Sequence, residues 1–254
     1  TFHHKTNLCI FERLEREREM KVTESILKRK SCRKFLRHKH VPLSVVREIL
    51  DVARFAPSGG NTQPWHLYVV GGEKRDELAN AVREQVKSGN FGEKTEFNVY
   101  PPKDVIPKAY MRRRRELGYE MYKLMGIQRK DRVRRIKAMA ENWDFFGAPV
   151  GIIVTTDRVV DRNGWGHVGC LLQSICLLAE ERGLSTCLQE AWGSFPRLTS
   201  KVLGIPDSEI LWCGIALGYE DKSAPVNTLR SKRDDVDSFT TFMGFDNDGR
   251  HSKL

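Results

Sequence analysis

Hydrophobic residues recur along the chain in two patterns, one typical of helices and one typical of buried strands. Helical spacing predicts a short helix at 22–29 and a second helix that starts near Pro42 and stops at Pro57. A continuous apolar run rich in β-branched residues at 150–155 predicts a strand buried on both faces. Further strands are predicted at 66–70, 184–188 and 210–218, and the most apolar helix, at 166–182, is expected in the core.

The alternation of strands with helices predicts an α+β fold in which a central mixed β-sheet is flanked by helices. This pattern fits a single domain at 22–245. Alternating charges at 1–21 predict an N-terminal helical extension. Charged helical segments within about 90–141 predict an insertion that covers part of the domain.

The charge balance makes nucleic acid a candidate partner that has to be weighed. The chain has 43 Lys and Arg against 33 Asp and Glu, a formal net charge of +10. Much of the excess lies at 112–115 and 129–137, but neither run belongs to a recognisable DNA- or RNA-binding motif. Charged helical faces are usually solvated, so nucleic-acid binding is disfavoured.

Other features of the composition bear on the location of the protein. No apolar run approaches the roughly 20 residues that span a bilayer, and the N-terminal segment lacks the apolar core of a secretion signal. The six cysteines include no CxxC pair, and several lie in apolar stretches. We therefore expect a cytoplasmic protein with no membrane association and no structural metal.

Two basic segments carry side chains suited to a phosphate group. The sequence RKSCR at 29–33 places three cations and a hydroxyl at a predicted helix end, and RSKR at 230–233 forms a second cluster near the end of the chain. Guanidinium groups donate two parallel hydrogen bonds to a phosphate. Taken alone, each segment is more simply a solvated basic turn.

Two loops next to predicted strands could approach a planar ligand. APSGGNTQPW at 56–65 combines small residues, which allow close approach to the backbone, with amide side chains. GLSTCLQEAWG at 183–193 runs from a buried strand into a loop, where ligands often bind. Either loop alone is equally well explained as an ordinary connection.

The four segments together, in this order and spacing, resemble the FMN-dependent nitroreductase family. The resemblance runs from about 22 to 236, and NWDFFGAP at 142–149 resembles the branch that reduces nitrobenzoates and related nitroarenes. It implies a three-layer fold and a domain-swapped homodimer in which the insertion covers the active site. It also implies FMN as cofactor and NADH or NADPH as the electron donor for a small aromatic acceptor.

The family pattern assigns roles in FMN binding to particular positions. It places the flavin phosphate near the basic turn, the edge of the ring near Arg33, and the backbone amides of Glu190 and Ala191 near the reactive N5 atom. The loop from Pro57 to Asn61 would reach the flavin from the other subunit. The implied cofactor contacts are Arg29, Lys30, Ser31, Cys32, Arg33, Pro57, Ser58, Gly59, Asn61, Asn142, Gln189, Glu190, Ala191, Arg230 and Arg233.

Two departures from the family pattern concern the acceptor side. Ala191 stands where many members have Gly, and Trp192 follows it, which predicts a narrower and more aromatic access to the flavin. Phe145 corresponds to a basic residue near the flavin edge in some relatives. We expect Trp192 and Phe195 to line the acceptor pocket and Arg113 to receive an acceptor carboxylate.

Other members of the superfamily remain as alternatives. Iodotyrosine deiodinases grip their substrate with a Glu and a Tyr four residues later. In this chain the residue four positions before Tyr119 is Arg115, and the residue four positions before Tyr122 is Gly118. Neither is Glu, which disfavours dehalogenation of a tyrosine. Flavin-fragmenting relatives offer no sequence feature to compare. The implied reaction is a two-step transfer of electron pairs through the flavin, and it demands no catalytic acid or base from the protein.

Overall fold

The computed structural model describes residues 21–98, 104–160 and 162–245. The N-terminal extension expected at 1–21 therefore lies outside the described residues, apart from Lys21. The helices are α1 (Val22–Lys28), α2 (Leu43–Ala53), α3 (Gly72–Lys87), α4 (Lys108–Leu124), α5 (Arg132–Ala140), α6 (Arg162–Glu181) and α7 (Pro196–Leu203). The strands are β1 (His66–Gly71), β2 (Val150–Asp157), β3 (Ser185–Gln189) and β4 (Glu209–Gly218).

The four strands form one sheet in the order β1-β2-β4-β3. All three strand pairings are antiparallel. Parallel pairing within the described residues is confined to an isolated bridge between Ser31 and Thr186. A mixed sheet was expected, but among the described residues the parallel component is limited to this bridge. A helix between two strands does not by itself fix their relative direction.

Strand β2 lies at the centre of the molecule, as predicted. Its residues from Val150 to Thr156 are all buried. Ile152 and Val154 pack in a core with helices α2 and α6, whereas Ile153 packs in a second core that includes α3 and the 3-10 turn Glu141–Gly147. Successive side chains of a strand point to opposite faces. The sheet is therefore the middle of three layers, which confirms the predicted α+β architecture.

Two further observations concern the helices. Helices α4 and α5 form within the segment expected to be an insertion, and α5 packs against the Glu141–Gly147 turn. No helix in the described parts of the chain is both long and apolar enough to cross a membrane.

Candidate functional site

The basic turn at the end of α1 is fixed to the edge of the sheet. Ser31 forms its parallel bridge with Thr186, and the backbone N–H of Cys32 donates to the Thr186 carbonyl at 2.9 Å. The Cys32 side chain is fully buried. Both its thiol and its N–H are turned into the protein, so these two groups are not available to a cofactor. Cys32 anchors the turn instead.

The second basic cluster reaches the same place from the other end of the chain. Nη1 of Arg230 donates to the carbonyls of Leu27 and Lys28, at 3.2 and 2.6 Å. Cations are favourable at a helix C-terminus, where carbonyl groups lack partners. Arg230 is thereby held beside Arg29. Arg233, in contrast, is exposed and donates to the carbonyls of Ser231 and Lys232 in its own loop.

Asn227 holds the chain just after the basic turn against the C-terminal segment that precedes the second cluster, and the sequence analysis missed it. Its Oδ1 accepts from the N–H of Arg33 at 2.8 Å, and its Nδ2 donates to the carbonyls of Lys34 and Asp221 at 2.7 and 2.9 Å. Only 2% of Asn227 is exposed. A single asparagine in a polar segment gives no signal in the sequence, so only the fold reveals this role.

The cations of the turn have unequal surroundings. Lys30 forms an ion pair with Glu220 at 2.6 Å, and both side chains are largely buried. Arg33 donates to the carbonyl of Ser31 at 3.2 Å and keeps its positive charge for another anion. Arg29, Arg33 and Arg230 are therefore candidate ligands of an anion, whereas Lys30 is already paired within the framework.

Two buried thiols lie beneath this turn. Burial raises the pKa of Cys32 to about 12 and that of Cys187 to about 11, although Arg33 and the Ser31 hydroxyl oppose the rise at Cys187. Both thiols stay protonated near neutral pH and act as small hydrophobic side chains. The chemistry of the site does not come from these cysteines.

The loop after β3 brings together the residues predicted to face the flavin ring. Gln189 ends the strand, and its Nε2 donates to the backbone carbonyl of Asn142 at 2.6 Å. The indole N–H of Trp143 donates to the carbonyl of Ala191 at 3.0 Å. Oε1 of Gln189 is buried and has no hydrogen-bond partner within the described residues. Asn142 and Gln189–Ala191 thus form one cluster. Within this cluster, Glu190 is exposed to solvent.

The aromatic residues expected in the acceptor pocket belong to the core instead. Trp192 and Phe195 are both fully buried. Trp192 stacks on Phe145 with ring centroids 4.6 Å apart, and Phe195 meets Trp143 edge-on at 5.0 Å. The single chain buries both side chains completely, which counts against the expected contact with an acceptor. Phe145 likewise lies in the core and not at a ring edge.

The loop from Pro57 to Asn61 is fixed to the opposite end of the molecule. The N–H of Gly59 donates to Nε2 of His167 at 3.1 Å, near the start of α6. Glu180, near the end of α6, interacts electrostatically with Lys28, Lys30 and Arg230 of the basic clusters. His167 and Glu180 lie about 20 Å apart along the helix axis. One chain therefore does not bring this loop to its own basic turn.

The loop itself has a defined conformation. The Ser58 hydroxyl accepts from the N–H of Gln63 at 3.0 Å, and Asn61 adopts a left-handed conformation with φ of 57°. Asparagine tolerates this region better than most residues. Pro57 and Gly59 are exposed. The loop is thus preshaped and accessible.

Arg113 already has an acidic partner in the chain. It forms an ion pair with Asp234, next to a cavity of about 990 Å³ between α4 and the segment 231–239. Its charge is already balanced in this position. The expected role of Arg113 at the carboxylate of an acceptor stays a prediction, which would require this pair to open.

Comparison with known proteins agrees with the arrangement of the turn, the loops and the sheet. A model of the nitroreductase family matches residues 26–219. The chain belongs to the nitroreductase family. The family match includes the basic turn and the loop after β3, and it ends before the cluster at 230–233.

Individual nitroreductases are similar over most of their length. The chain is 37% identical to a 4-nitrobenzoate reductase of Pseudomonas putida, over 87% of this chain and 95% of that protein. It is 34% identical to a chloronitrobenzene nitroreductase of Comamonas testosteroni, over 87% and 96%. Among solved structures, an FMN- and NADPH-dependent nitroreductase NfnB from a Sphigopyxis strain is 34% identical, with a TM-score of 0.85 over 89% of this chain and all of that one.

Proposed function

We propose that this nitroreductase binds FMN and passes electrons from NADH or NADPH to a nitroaromatic acceptor. The observation that carries the proposal is the arrangement along β3. The phosphate-binding turn is fixed at Thr186, and the ring-facing cluster begins at Gln189 and Glu190, about 13 Å further along the strand at most. A phosphate group and a planar ring joined by an extended sugar chain match these two positions.

The residues present fit this cofactor chemically. Arg29 and Arg230 offer cationic donors for a terminal phosphate, and Arg33 offers a cation for the edge of the ring. The unpartnered Oε1 of Gln189 offers an acceptor for the single N–H of the flavin pyrimidine ring, and such a buried oxygen is costly to leave unpaired. When bound, FMN supplies the ability to take up and release an electron pair at its ring.

The protein's own part in the reaction is binding and electrostatics. Arg33 supplies a fixed positive charge close to the electron-accepting group, which favours its electron-rich form. Asn142, Gln189, Glu190 and Ala191 hold the ring through polar contacts. These roles require no side chain that transfers a proton.

The names of the similar proteins support the acceptor and the donor. Two relatives reduce 4-nitrobenzoate and chloronitrobenzene, and solved relatives are described as NADPH-dependent. An NfnB from Mycobacterium smegmatis, 27% identical with a TM-score of 0.80, was solved in complex with NADPH. We propose nitroarenes as the acceptor class for this chain.

We also propose that the protein is a cytoplasmic homodimer. Because the Pro57–Asn61 loop and the phosphate-binding turn lie at opposite ends of α6, a complete flavin site needs the loop of a partner subunit. The five described cysteines are free, in keeping with a reducing compartment. The insertion would cover the site: Glu93 already contacts Ser194 after β3, and Arg113 of α4 pairs with Asp234.

The test begins with the cofactor. Flavin released by heat from the purified protein should be FMN, and the bound flavin should bleach on anaerobic addition of NADPH or NADH. Addition of 4-nitrobenzoate or nitrobenzene should then restore the oxidised spectrum. FAD as the released flavin, or a flavin that neither nicotinamide reduces, would contradict the proposal.

A further inference from the structure

A cavity of about 710 Å³ lies within the insertion, between the second half of α4, the connection to α5 and the first turn of α5. It is separate from the cavity beside Arg113, which uses another face of α4. Its walls combine aromatic and cationic side chains. The volume is in the range of pockets that hold small organic molecules.

The electrostatic character of this cavity differs from that of the rest of α4. Arg115, Lys123, Arg129 and Arg135 line it, and within the described residues no carboxylate does. On the other face of the helix, acidic partners balance the arginines, as in the ion pair between Arg112 and Glu116 at 3.4 Å. The cavity therefore has an excess of positive charge that favours an anion.

Gly118 gives an independent reason to expect a ligand. It lies in the middle of a 17-residue helix and lines the cavity. A glycine weakens a helix relative to alanine. A Cβ at this position would meet nothing within 4 Å, so packing within the chain does not require glycine there. The missing side chain leaves open the wall against which a flat molecule could lie.

The side chains around Gly118 are suited to an aromatic anion. Tyr119 is half exposed, and Tyr122 lies on the same face of the helix. Arg135 is held in place by its Nη1, which donates to the carbonyl of Arg129 at 3.3 Å, and its guanidinium lies 5.5 Å from the centre of the Tyr122 ring. An aromatic ring could stack beside the tyrosines while a carboxylate meets the guanidinium groups.

We propose that this cavity binds a planar aromatic carboxylate, with the ring against Gly118 and the carboxylate at Arg115 and Arg135. This site would favour acceptors that bear a carboxylate and so deepens the proposed function. That catalytic consequence rests on the proposed function. It moves carboxylate recognition from Arg113 to the other face of α4. Binding itself requires neither electron transfer nor a nitro group.

Calorimetric titration of the full-length flavoprotein with benzoate tests the site without any reaction. Wild-type protein should bind benzoate, and Arg115→Gln and Arg135→Gln should each weaken binding at least tenfold. Arg132→Gln is the matched control, because this exposed arginine of α5 does not line the cavity, and it should leave the affinity unchanged. No binding to wild-type protein, or equal losses in all three variants, would overturn the proposal.

Gly118→Ala separates the site from the stability of the helix. It should raise the midpoint of thermal unfolding, because alanine favours a helix, while it weakens benzoate binding. In steady-state assays Arg115→Gln and Arg135→Gln should raise KM for 4-nitrobenzoate several-fold more than KM for nitrobenzene, which carries no carboxylate. A variant that binds benzoate normally, or that changes the oligomeric state instead, would overturn the proposal.

These outcomes are distinct from those that test the proposed function. If the flavin is not reduced by a nicotinamide but benzoate binds with the expected losses in the variants, the proposed function fails and the cavity assignment stands. If both nitroarenes are reduced but benzoate does not bind, the cavity assignment fails and the proposed function stands.

Discussion

Arg33 and Lys30 belong to the same turn, yet their charges are not equivalent. Lys30 is paired with Glu220, whereas Arg33 donates only to a backbone carbonyl in the pairs described above. We expect Arg33→Gln to raise the Kd for FMN by about 10- to 100-fold, since a charge-assisted hydrogen bond contributes about 1.5 to 3 kcal/mol. Quenching of flavin fluorescence on titration of the apoprotein measures this Kd.

The double variant Lys30→Gln/Glu220→Gln is the matched comparison, since it removes a balanced pair without leaving a lone charge. Its effect on the same Kd should stay below about fivefold, because a balanced pair contributes little to binding a further anion. Equal losses of affinity in the two variants would show that the ion pair with Glu220 does not distinguish the two cations.

Asn227 supports the turn from below and gives a second prediction. Asn227→Ala leaves the N–H of Arg33 and the carbonyls of Lys34 and Asp221 without their partner. We expect the free energy of unfolding to fall by about 2 to 3 kcal/mol, measured by urea denaturation. The Kd for FMN should rise at least tenfold, because the backbone at Arg33 is no longer fixed.

Asn80→Ala provides the control for this experiment, since Asn80 is exposed on α3. It should change neither quantity by more than about 0.5 kcal/mol or its equivalent in affinity. A stable Asn227→Ala protein with normal FMN affinity would remove Asn227 from the site.

At the scale of single residues, the sequence predicts those parts of a site whose residues lie close together in the chain. Arg29, Ser31 and Arg33 stand close together in the sequence and have a recognisable chemistry, so the turn that we propose binds phosphate could be located without a structure. Asn227 and His167 are single polar residues whose partners lie far away in the chain. Nothing in their sequence neighbourhoods indicates which backbone group they bind.

The 3-10 turn Glu141–Gly147 is an element held by one carboxylate. Asp144 pairs with Arg75 at 3.0 Å, with Arg83 at 3.3 Å and with Arg37. The Arg75 side chain is 4% exposed, and removal of its partner leaves a buried charge less well compensated. Asp144→Asn should therefore lower the free energy of unfolding by about 3 kcal/mol in urea denaturation.

A surface ion pair on α3 provides the comparison for this element. Glu84 pairs with Lys87 at 2.7 Å, and both side chains are mostly exposed. Glu84→Gln should change the free energy of unfolding by less than about 0.5 kcal/mol, because exposed pairs are screened by solvent. Similar losses in the two variants would contradict a structural role for the buried network.

Elements were predictable where composition determines them. β-Branched apolar runs located β2 and β4, and helical spacing located α2 and α6. The position of the Trp192 side chain was not predictable from its loop, because it depends on residues opposite it. Gly214 of the neighbouring strand leaves the space that the indole fills, and a Cβ there would overlap it. Such pairing appears only when the strand register is known.

The proposed dimer gives a prediction for the molecule as a whole. One inactive variant combines Arg33→Gln with Arg230→Gln, and another carries Gly59→Leu, which crowds His167 beneath the loop. When the two are unfolded and refolded together with FMN, a mixed dimer has one site with both defects and one intact site. With random pairing, about a quarter of all sites should regain flavin and activity.

The contrary outcome is equally clear. If the turn and the loop acted on the same flavin from one chain, every site of a mixed dimer would remain defective. No recovered flavin binding in a mixture shown by mass to contain heterodimers would exclude the shared site. The expectation of a dimer with a shared flavin site came from the family resemblance. The charge patterns alone suggested only an anionic partner.

The length of α6 has a consequence for how the holoprotein behaves on dilution. In the proposed dimer, a free subunit would carry the basic turn at one end of this helix and the Pro57–Asn61 loop at the other, so it would hold two half-sites and no whole one. Flavin retention then follows mass action between subunits. Bound cofactor would draw the subunits together, and a protein diluted below its dimer dissociation constant would release flavin and subunit in the same transition.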